Sequence, residues 1–320
     1  MEATLAPLVE ALKAKKKVCL FTGAGVSTAA GIPDFRSPET GLYSNLAKLN
    51  LPFAEAVFDI DFFKKDPKPF YTLAEELFPG KFAPTKFHYM VRILQEKNLL
   101  KRVYTQNIDI LDRLAGVKDE FIVEAHGSFA TSRCIDCKME VPIEKVKLDI
   151  PKGVPTCAKC GGFIKPDITF YGEGLPSKFF ETWDKDCDDV EVALISGTSL
   201  TVYPFASLPS SVEKRCLRVL VNREKVGDLG RRKKDIVALL DCDEFADTLT
   251  SLLGWKDVLD RYYEEGQKKC GKSKSIEEEL EKIEDRLEKE PVSEKNNKDG
   301  NVDRQEGDEE LEELINKLKI

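Results

Sequence analysis

The chain has 320 residues, 42% of them hydrophobic, enough for roughly two domains and a sizeable core. Its net charge of −8 sits almost wholly in residues 271–320, which carry 17 acidic and 10 basic side chains; the remainder is near neutral, and nothing in it argues for a nucleic-acid surface. No stretch is long and apolar enough to cross a bilayer, and the N-terminus lacks a signal-peptide pattern, so the nine cysteines point to a reducing compartment and to metal rather than disulfides.

Taken in order, the body alternates helical stripes with apolar β-branched runs, the pattern of a parallel sheet covered on both faces. Leu5, Leu8, Val9 and Leu12 mark a first helix within Thr4–Lys17. A short strand, Val18–Phe21, runs straight into the loop Gly23-Ala-Gly-Val-Ser-Thr-Ala-Ala-Gly31. Glycines between a strand and a helix let backbone N–H groups approach a pyrophosphate, although such turns are common in α/β proteins. Further strands are expected at Arg102–Gln106, Phe121–Glu124, Val192–Ser196, Arg218–Val221 and Ile236–Leu240, and helices at Pro69–Phe78, Pro84–Lys97, Ile108–Ala115, Ser177–Asp186 and Glu244–Leu253. Two insertions interrupt this rhythm: an aromatic-rich segment at about 44–86 and a cysteine segment at about 128–170.

That second insertion holds Cys134, Cys137, Cys157 and Cys160, spaced C-x2-C-x19-C-x2-C. Two thiolates three positions apart grip one tetrahedral ion from a tight turn, and a second such turn closes the site. Four sulfur ligands leave no open position, so the expected zinc is structural; two disulfides or four unrelated buried thiols are the alternatives. Cys19, Cys187, Cys216, Cys242 and Cys270 read as small buried hydrophobes.

Polar residues gather at the ends of the expected strands, where an α/β fold presents side chains to ligands. Gln106, Asn107 and Asp109 offer amides and a carboxylate that suit a carboxamide, or else cap the following helix. His126 ends a strand between Ala125 and Gly127, whose small side chains leave the imidazole accessible for proton transfer. His88 lies in a helical run and reads as packed or surface. Gly197, Thr198 and Ser199 follow another strand and suit phosphate or ribose, with a plain turn as the alternative.

Whole segments of the chain resemble the sirtuins, the NAD-dependent protein deacylases, of the eukaryotic class I type. The match runs through GAGVSTAAGIPDFRSPETGLY (23–43), TQNIDILDR (105–113), EAHGSF (124–129), the cysteine pairs, KPDITFYGE (165–173), GTSLTVYPFASLP (197–209) and VNRE (221–224), in family order over residues 1–265. The resemblance implies a Rossmann-like NAD-binding domain (1–43, 87–127 and 171–268), a helical module for cofactor and acyl-lysine (44–86), a zinc module (128–170) and an acidic tail (269–320), mostly disordered with conditional helices. It implies NAD contacts at Gly23, Ala24, Gly25, Thr28, Asp34, Phe35, Arg36, Tyr43, Gln106, Asn107, Asp109, Gly197, Thr198, Ser199, Asn222, Glu224 and Cys242. His126 and Asn107 take the catalytic roles, and Ile168, Thr169, Phe170 and Tyr171 clamp the substrate peptide through backbone pairing. Thr169 and Tyr171 depart from the family's valine and phenylalanine, which bears on the lining of the acyl tunnel. An apolar segment around Leu49, Leu51, Phe53, Val57, Phe58 and Phe62, with no Tyr-x-x-Arg pair, favours acetyl or fatty acyl groups over acidic ones.

The implied reaction moves the acyl group from lysine to ADP-ribose. The acyl oxygen attacks the ribose C1′, nicotinamide leaves, and His126 as general base activates a ribose hydroxyl; water then releases lysine and O-acyl-ADP-ribose. ADP-ribosyl transfer to protein and a non-catalytic NAD-responsive binding role are the alternatives. The resemblance suggests acylated histones or tubulin-like proteins as substrates, no direct nucleic acid, no membrane, and a cytoplasmic or nuclear location. Ile276, Leu280, Ile283 and Leu287 form one narrow stripe in the tail. A second, Leu311, Leu314, Ile315, Leu318 and Ile320, fits a leucine-rich signal for a nuclear export receptor or an autoinhibitory helix. The basic run Arg231–Lys234 reads as a solvated loop.

Overall fold

The computed structural model describes residues 1–33, 51–78 and 81–271. Asp34, Phe35, Arg36, Tyr43, Leu49 and both tail stripes lie outside them. The chain separates into two units, Met1–Tyr263 and Glu264–Ile320, and the described part of the second, 264–271, is helical.

Six strands build the main sheet: β1 (Val18–Thr22), β2 (Leu100–Thr105), β3 (Ile122–Glu124), β7 (Val192–Ser196), β8 (Leu217–Asn222) and β9 (Ile236–Leu239). Their order is β3-β2-β1-β7-β8-β9, and every pairing is parallel. Buried on both faces, the strands divide their side chains by parity. Val18 and Leu20 of β1 join Val192, Leu194, Val219 and Val221 on one face, under the helices Glu2–Lys13, Lys86–Glu96 and Cys242–Leu252. Cys19 and Phe21 join Tyr104, Ala193, Ile195 and Leu220 on the other, against Phe179, Trp183 and Phe205. The Phe21 ring meets Trp183 edge-on at 5.7 Å, a contact worth about 0.5–1.5 kcal/mol beyond its buried area.

The chain order reverses between β1 and β7, and the crevice beyond the C-terminal ends of those two strands is where such sheets bind ligands. Glycine makes this crevice. Gly25 N–H donates to the Gly197 carbonyl at 2.8 Å, and a Cβ on Gly25 would stand 2.6 Å from the Gly197 Cα. Gly197 itself has φ +61°. The loops after β1 and β7 therefore touch backbone to backbone.

A second, three-stranded antiparallel sheet holds β4 (Gly127–Cys134), β5 (Glu140–Val141) and β6 (Ile164–Ile168) in the order β5-β4-β6. Its core continues into the helices Ile60–Lys65 and Lys68–Leu77 through Phe58, Phe63, Phe70 and Phe170. The Phe170 ring lies 5.9, 5.5 and 5.0 Å from those of Phe58, Phe63 and Phe70. Asp59 caps the first of these helices by accepting from Asp61 N–H and Phe62 N–H at 2.9 and 2.8 Å.

Several boundaries differ from the expected ones for local reasons. The helix expected at Ile108–Ala115 shrinks to Leu111–Leu114, because Ile110 takes φ +58° and Asp109 accepts from Leu111 N–H at 2.9 Å. The first helix stops at Lys13, before the left-handed Lys15. Cys19, Cys216 and Cys242 are buried as expected, whereas Cys187 and Cys270 are only half-buried. Among the described residues no helix is long and apolar enough to cross a membrane.

Candidate active site

A cleft of about 1050 Å³ opens at the β1/β7 crevice. Of the residues expected to hold NAD, Ala24, Gly25, Thr28, Gln106, Asn107, Gly197, Thr198, Ser199, Asn222, Glu224 and Cys242 line it, together with His126 and all four of Ile168, Thr169, Phe170 and Tyr171. Gly23 and Asp109 do not line it; they stand behind the surface that does.

Asp109 acts through Ser27, a residue that sequence reasoning passed over as one letter of the glycine loop. Ser27, 1% exposed, donates to Asp109 Oδ2 at 2.6 Å and accepts from Asn107 Nδ2 at 3.1 Å. This relay fixes Asn107 with its amide oxygen directed away from the bond. Desolvation raises the Asp109 carboxyl above its ordinary value, and the bond from Ser27 opposes that rise. Deeper along the wall, Thr198 Oγ1 donates to Gln106 Oε1 at 2.8 Å, and Asn222 Nδ2 donates to the Thr198 carbonyl at 3.4 Å and to the Glu224 carbonyl at 3.0 Å. The last turns of β2, β7 and β8 are thereby tied to one another.

His126 follows β3 and leaves its ring at the cleft wall. Its Nδ1 is 3.1 Å from the Gln106 carbonyl oxygen, which only accepts, so Nδ1 carries the proton. The neutral ring then keeps its basic lone pair on Nε2. Burial lowers the His126 pKa, and the bond to Gln106 partly offsets it. At neutral pH the side chain is therefore an unprotonated base.

The expected peptide strand is a strand only as far as Ile168. Beyond it, residues 169–173 form an arch in which the N–H groups of Thr169, Phe170 and Tyr171 already have acceptors. Thr169 N–H donates to the His126 carbonyl at 2.8 Å, Phe170 N–H to Glu173 Oε2 at 2.8 Å and Tyr171 N–H to the Phe58 carbonyl at 2.7 Å. Ile60 N–H returns a bond to the Tyr171 carbonyl at 3.1 Å. Phe58, Ile108, Val202 and Tyr203 complete the apolar side of the cleft, and Tyr203 is 75% exposed.

Away from the cleft, all four sulfurs of Cys134, Cys137, Cys157 and Cys160 lie within 4.8 Å of one another. Cys134 Sγ is 3.4 Å from Cys160 Sγ, and Cys137 Sγ is 3.6 Å from Cys157 Sγ. A disulfide needs about 2.05 Å, which excludes that alternative. Zinc–sulfur bonds of about 2.3 Å give tetrahedral edges of about 3.8 Å, close to these separations. Gly162 is part of the fit, since a Cβ there would lie 3.0 Å from Cys134 Sγ. The donor set suits one closed, structural zinc ion, and none of its sulfurs lines the cleft.

Fold and cleft together define the class: an α/β protein of dinucleotide-binding topology that carries an inserted four-cysteine module. The chain belongs to the Sir2 family, whose model matches residues 23–204. It is similar to the NAD-dependent protein deacetylase HST2 of Candida albicans, 58% identical over 335 aligned positions that cover 100% of this chain and 99% of the relative. It is 58% identical to the NAD-dependent protein deacetylase hst2 of Schizosaccharomyces pombe, covering 77% of this chain and 74% of that one. It is 47% identical to the NAD-dependent protein deacetylase sirtuin-2 of Danio rerio, covering 78% and 70%.

Proposed function

We propose that this protein is an NAD-dependent protein lysine deacetylase that transfers the acyl group to ADP-ribose. The observation that carries the reading is His126: a neutral imidazole, its proton fixed on Nδ1 by the Gln106 carbonyl, standing between the glycine loops and the arch 168–173. NAD supplies the ribose that accepts the acyl group and nicotinamide as the leaving group.

The chain's own residues divide the work. Backbone at Ala24, Gly25 and Gly197, with the hydroxyls of Thr28, Thr198 and Ser199, suits the pyrophosphate and riboses. Asn222, Glu224 and Cys242 suit the adenosine end. Asn107, held by Ser27, and Gln106, held by Thr198, face the nicotinamide end, where Asp34, Phe35, Arg36 and Tyr43 are assigned from the sequence motif. Phe58, Ile168 and Phe170 wall off water around an uncharged acyl chain, and no cation among them would draw in an acidic one. His126 Nε2 takes the proton of a ribose hydroxyl, an imidazole function worth about 10²–10⁴-fold in rate.

Acylated proteins are the substrates, and histones and tubulin-like proteins are the candidates this reading extends to. It also extends to a cytoplasmic and nuclear distribution with export through Leu311–Ile320. Replacing Leu314 and Leu318 with alanine should then shift the protein into the nucleus; an unchanged distribution would remove the export reading.

The test of the central claim is mass spectrometry of the products formed from protein, NAD and an acetyl-lysine peptide. Free lysine peptide, nicotinamide and O-acetyl-ADP-ribose are expected from wild type and not from His126→Ala. A peptide that keeps its acyl group, even when myristoylated, would overturn the deacylase reading. ADP-ribose found attached to protein would move the assignment to transfer.

A further inference from the structure

Lys165 is a charged side chain in an unusual place. It lies on β6 and is only 7% exposed. Its ammonium group donates to the Ile168 carbonyl at 2.6 Å, to Glu173 Oε2 at 3.0 Å and to the Pro166 carbonyl at 3.3 Å, which occupies all three of its protons. It also stands 4.4 Å from the centroid of the Phe170 ring, over the face. Burial lowers the Lys165 pKa, opposed by Glu173, whose carboxylate holds the charge in place.

These contacts fall on the two feet of one arch. Ile168 is where β6 ends, and Glu173 is where the chain comes back. The same Glu173 oxygen accepts Phe170 N–H at 2.8 Å, and Glu173 N–H donates to the Phe170 carbonyl at 2.9 Å. Lys165 therefore closes a loop through Glu173 to the backbone of Phe170, whose ring forms the acyl side of the cleft. Every residue from Ile168 to Glu173 lines that cleft, whereas Lys165 does not. None of its partners belongs to the glycine loops or to the ends of β7 and β8, which face the dinucleotide.

We propose that Lys165 is a positioning residue for the acyl-lysine substrate: its ammonium, clamped between the Ile168 carbonyl and Glu173, sets the shape of the arch that receives the acyl chain. This rests on the reading of the cleft as a deacetylase site. Lys165 touches no reacting atom, and its effect passes through Glu173 and Phe170. The pair is buried on the Lys165 side only, since Glu173 is partly exposed, so removing the ammonium leaves the Ile168 and Pro166 carbonyls and Glu173 without the donor that holds them together.

Steady-state kinetics with an acetyl-lysine peptide and NAD varied separately decide the matter. Lys165→Met keeps the length and apolar stem and removes the three donors. It is expected to raise the KM for peptide about tenfold or more, the scale of losing a charged hydrogen bond, and to leave the KM for NAD within about twofold. Lys165→Arg keeps a cation and is expected to recover part of the peptide KM. Should Lys165→Met fail to fold or lose its zinc, Glu173→Gln carries the test, with the same selective rise in peptide KM expected. Equal shifts in both KM values, a loss confined to kcat, or wild-type constants would each overturn the positioning role. Wild type without any deacetylation would instead overturn the reading of the cleft, so the two failures are distinct.

Discussion

Replacing Gly25 with alanine tests whether the contact between the two glycine loops builds the dinucleotide site. The added methyl would stand 2.6 Å from Gly197 Cα, 3.0 Å from its carbonyl oxygen and 3.1 Å from its carbonyl carbon, all main-chain atoms with no rotamer to retreat into. Non-bonded carbons sit at about 3.5–4.0 Å, so the loops must part by roughly 1 Å. Overpacking of this kind costs about 1–3 kcal/mol. The 2.8 Å bond from Gly25 N–H to the Gly197 carbonyl would lengthen with it, at a further cost of about 0.5–1.5 kcal/mol. Calorimetric titration with NAD, beside thermal unfolding, reads both effects. A dissociation constant for NAD raised at least about tenfold is expected, since misplacements near 1 Å cost enzymes up to about 10²-fold. The melting temperature should fall by several degrees, at about 2–4 °C per kcal/mol for a chain this size. Wild-type affinity for NAD in folded Gly25→Ala protein would refute the argument, because it would mean that the loops part without the cleft noticing.

Other perturbations reach different parts of the molecule. The His126 pKa is depressed, so kcat/KM for peptide should hold steady through neutral pH and fall only as pH drops below the ordinary histidine value of about 6.5, with no such limb in the residual activity of His126→Ala. An acid limb centred above 6.5 would contradict the assigned environment. His88 is buried; its Nδ1 lies 3.2 Å from Thr85 N and 2.8 Å from Thr85 Oγ1, its Nε2 has no hydrogen-bond partner among the described residues, and burial lowers its pKa to about 3. The unfolded chain binds that proton below about pH 6.5 while the native state does not, so stability contributed by neutral His88 is lost as pH falls, by up to about 1.4 kcal/mol per unit. Urea unfolding of His88→Asn between pH 6.5 and 4.5 should show a correspondingly flatter slope, and an unchanged slope would count against it. Cys157→Ser should abolish zinc binding measured by metal analysis and unfold the small sheet, as structural zinc sites contribute folding energy directly; a fully zinc-loaded variant would show that the four sulfurs are not the ligand set.

Much of the main sheet was legible because its strands are buried on both faces and so read as unbroken apolar runs. Val18–Thr22 and Val192–Ser196 are buried at every position. The cysteine spacing was legible for a different reason, since metal geometry fixes it locally. The small antiparallel sheet was not. Its strand β6, Ile-Lys-Pro-Asp-Ile, carries a buried lysine and a proline, and β5 has only two residues, so neither shows a period. Ser27 was missed because its meaning lies in Asn107 and Asp109, 80 and 82 positions away, and nothing in the loop itself distinguishes it from its neighbours. Likewise residues 169–173 read as a continuation of the strand, because the side-chain and loop acceptors that turn them into an arch lie at Glu173, Phe58 and His126, outside any local pattern.

The position of His126 also bears on how the enzyme comes into being. Its ring is oriented by Gln106 from the main sheet, its carbonyl accepts Thr169 N–H, and the next residue, Gly127, opens the small sheet with φ +68° and leaves no room for a Cβ, which would lie 1.9 Å from the Asp167 carbonyl oxygen. A chain growing from the ribosome therefore carries the partner of the histidine ring before the histidine itself, and the partner of its backbone about forty residues later. The anchor arrives only with residues 167–169, after both cysteine pairs have been synthesised. All four zinc-site cysteines are thus synthesised before the segment that fixes the backbone of the base, so the small sheet and the catalytic histidine are completed by the same stretch of chain.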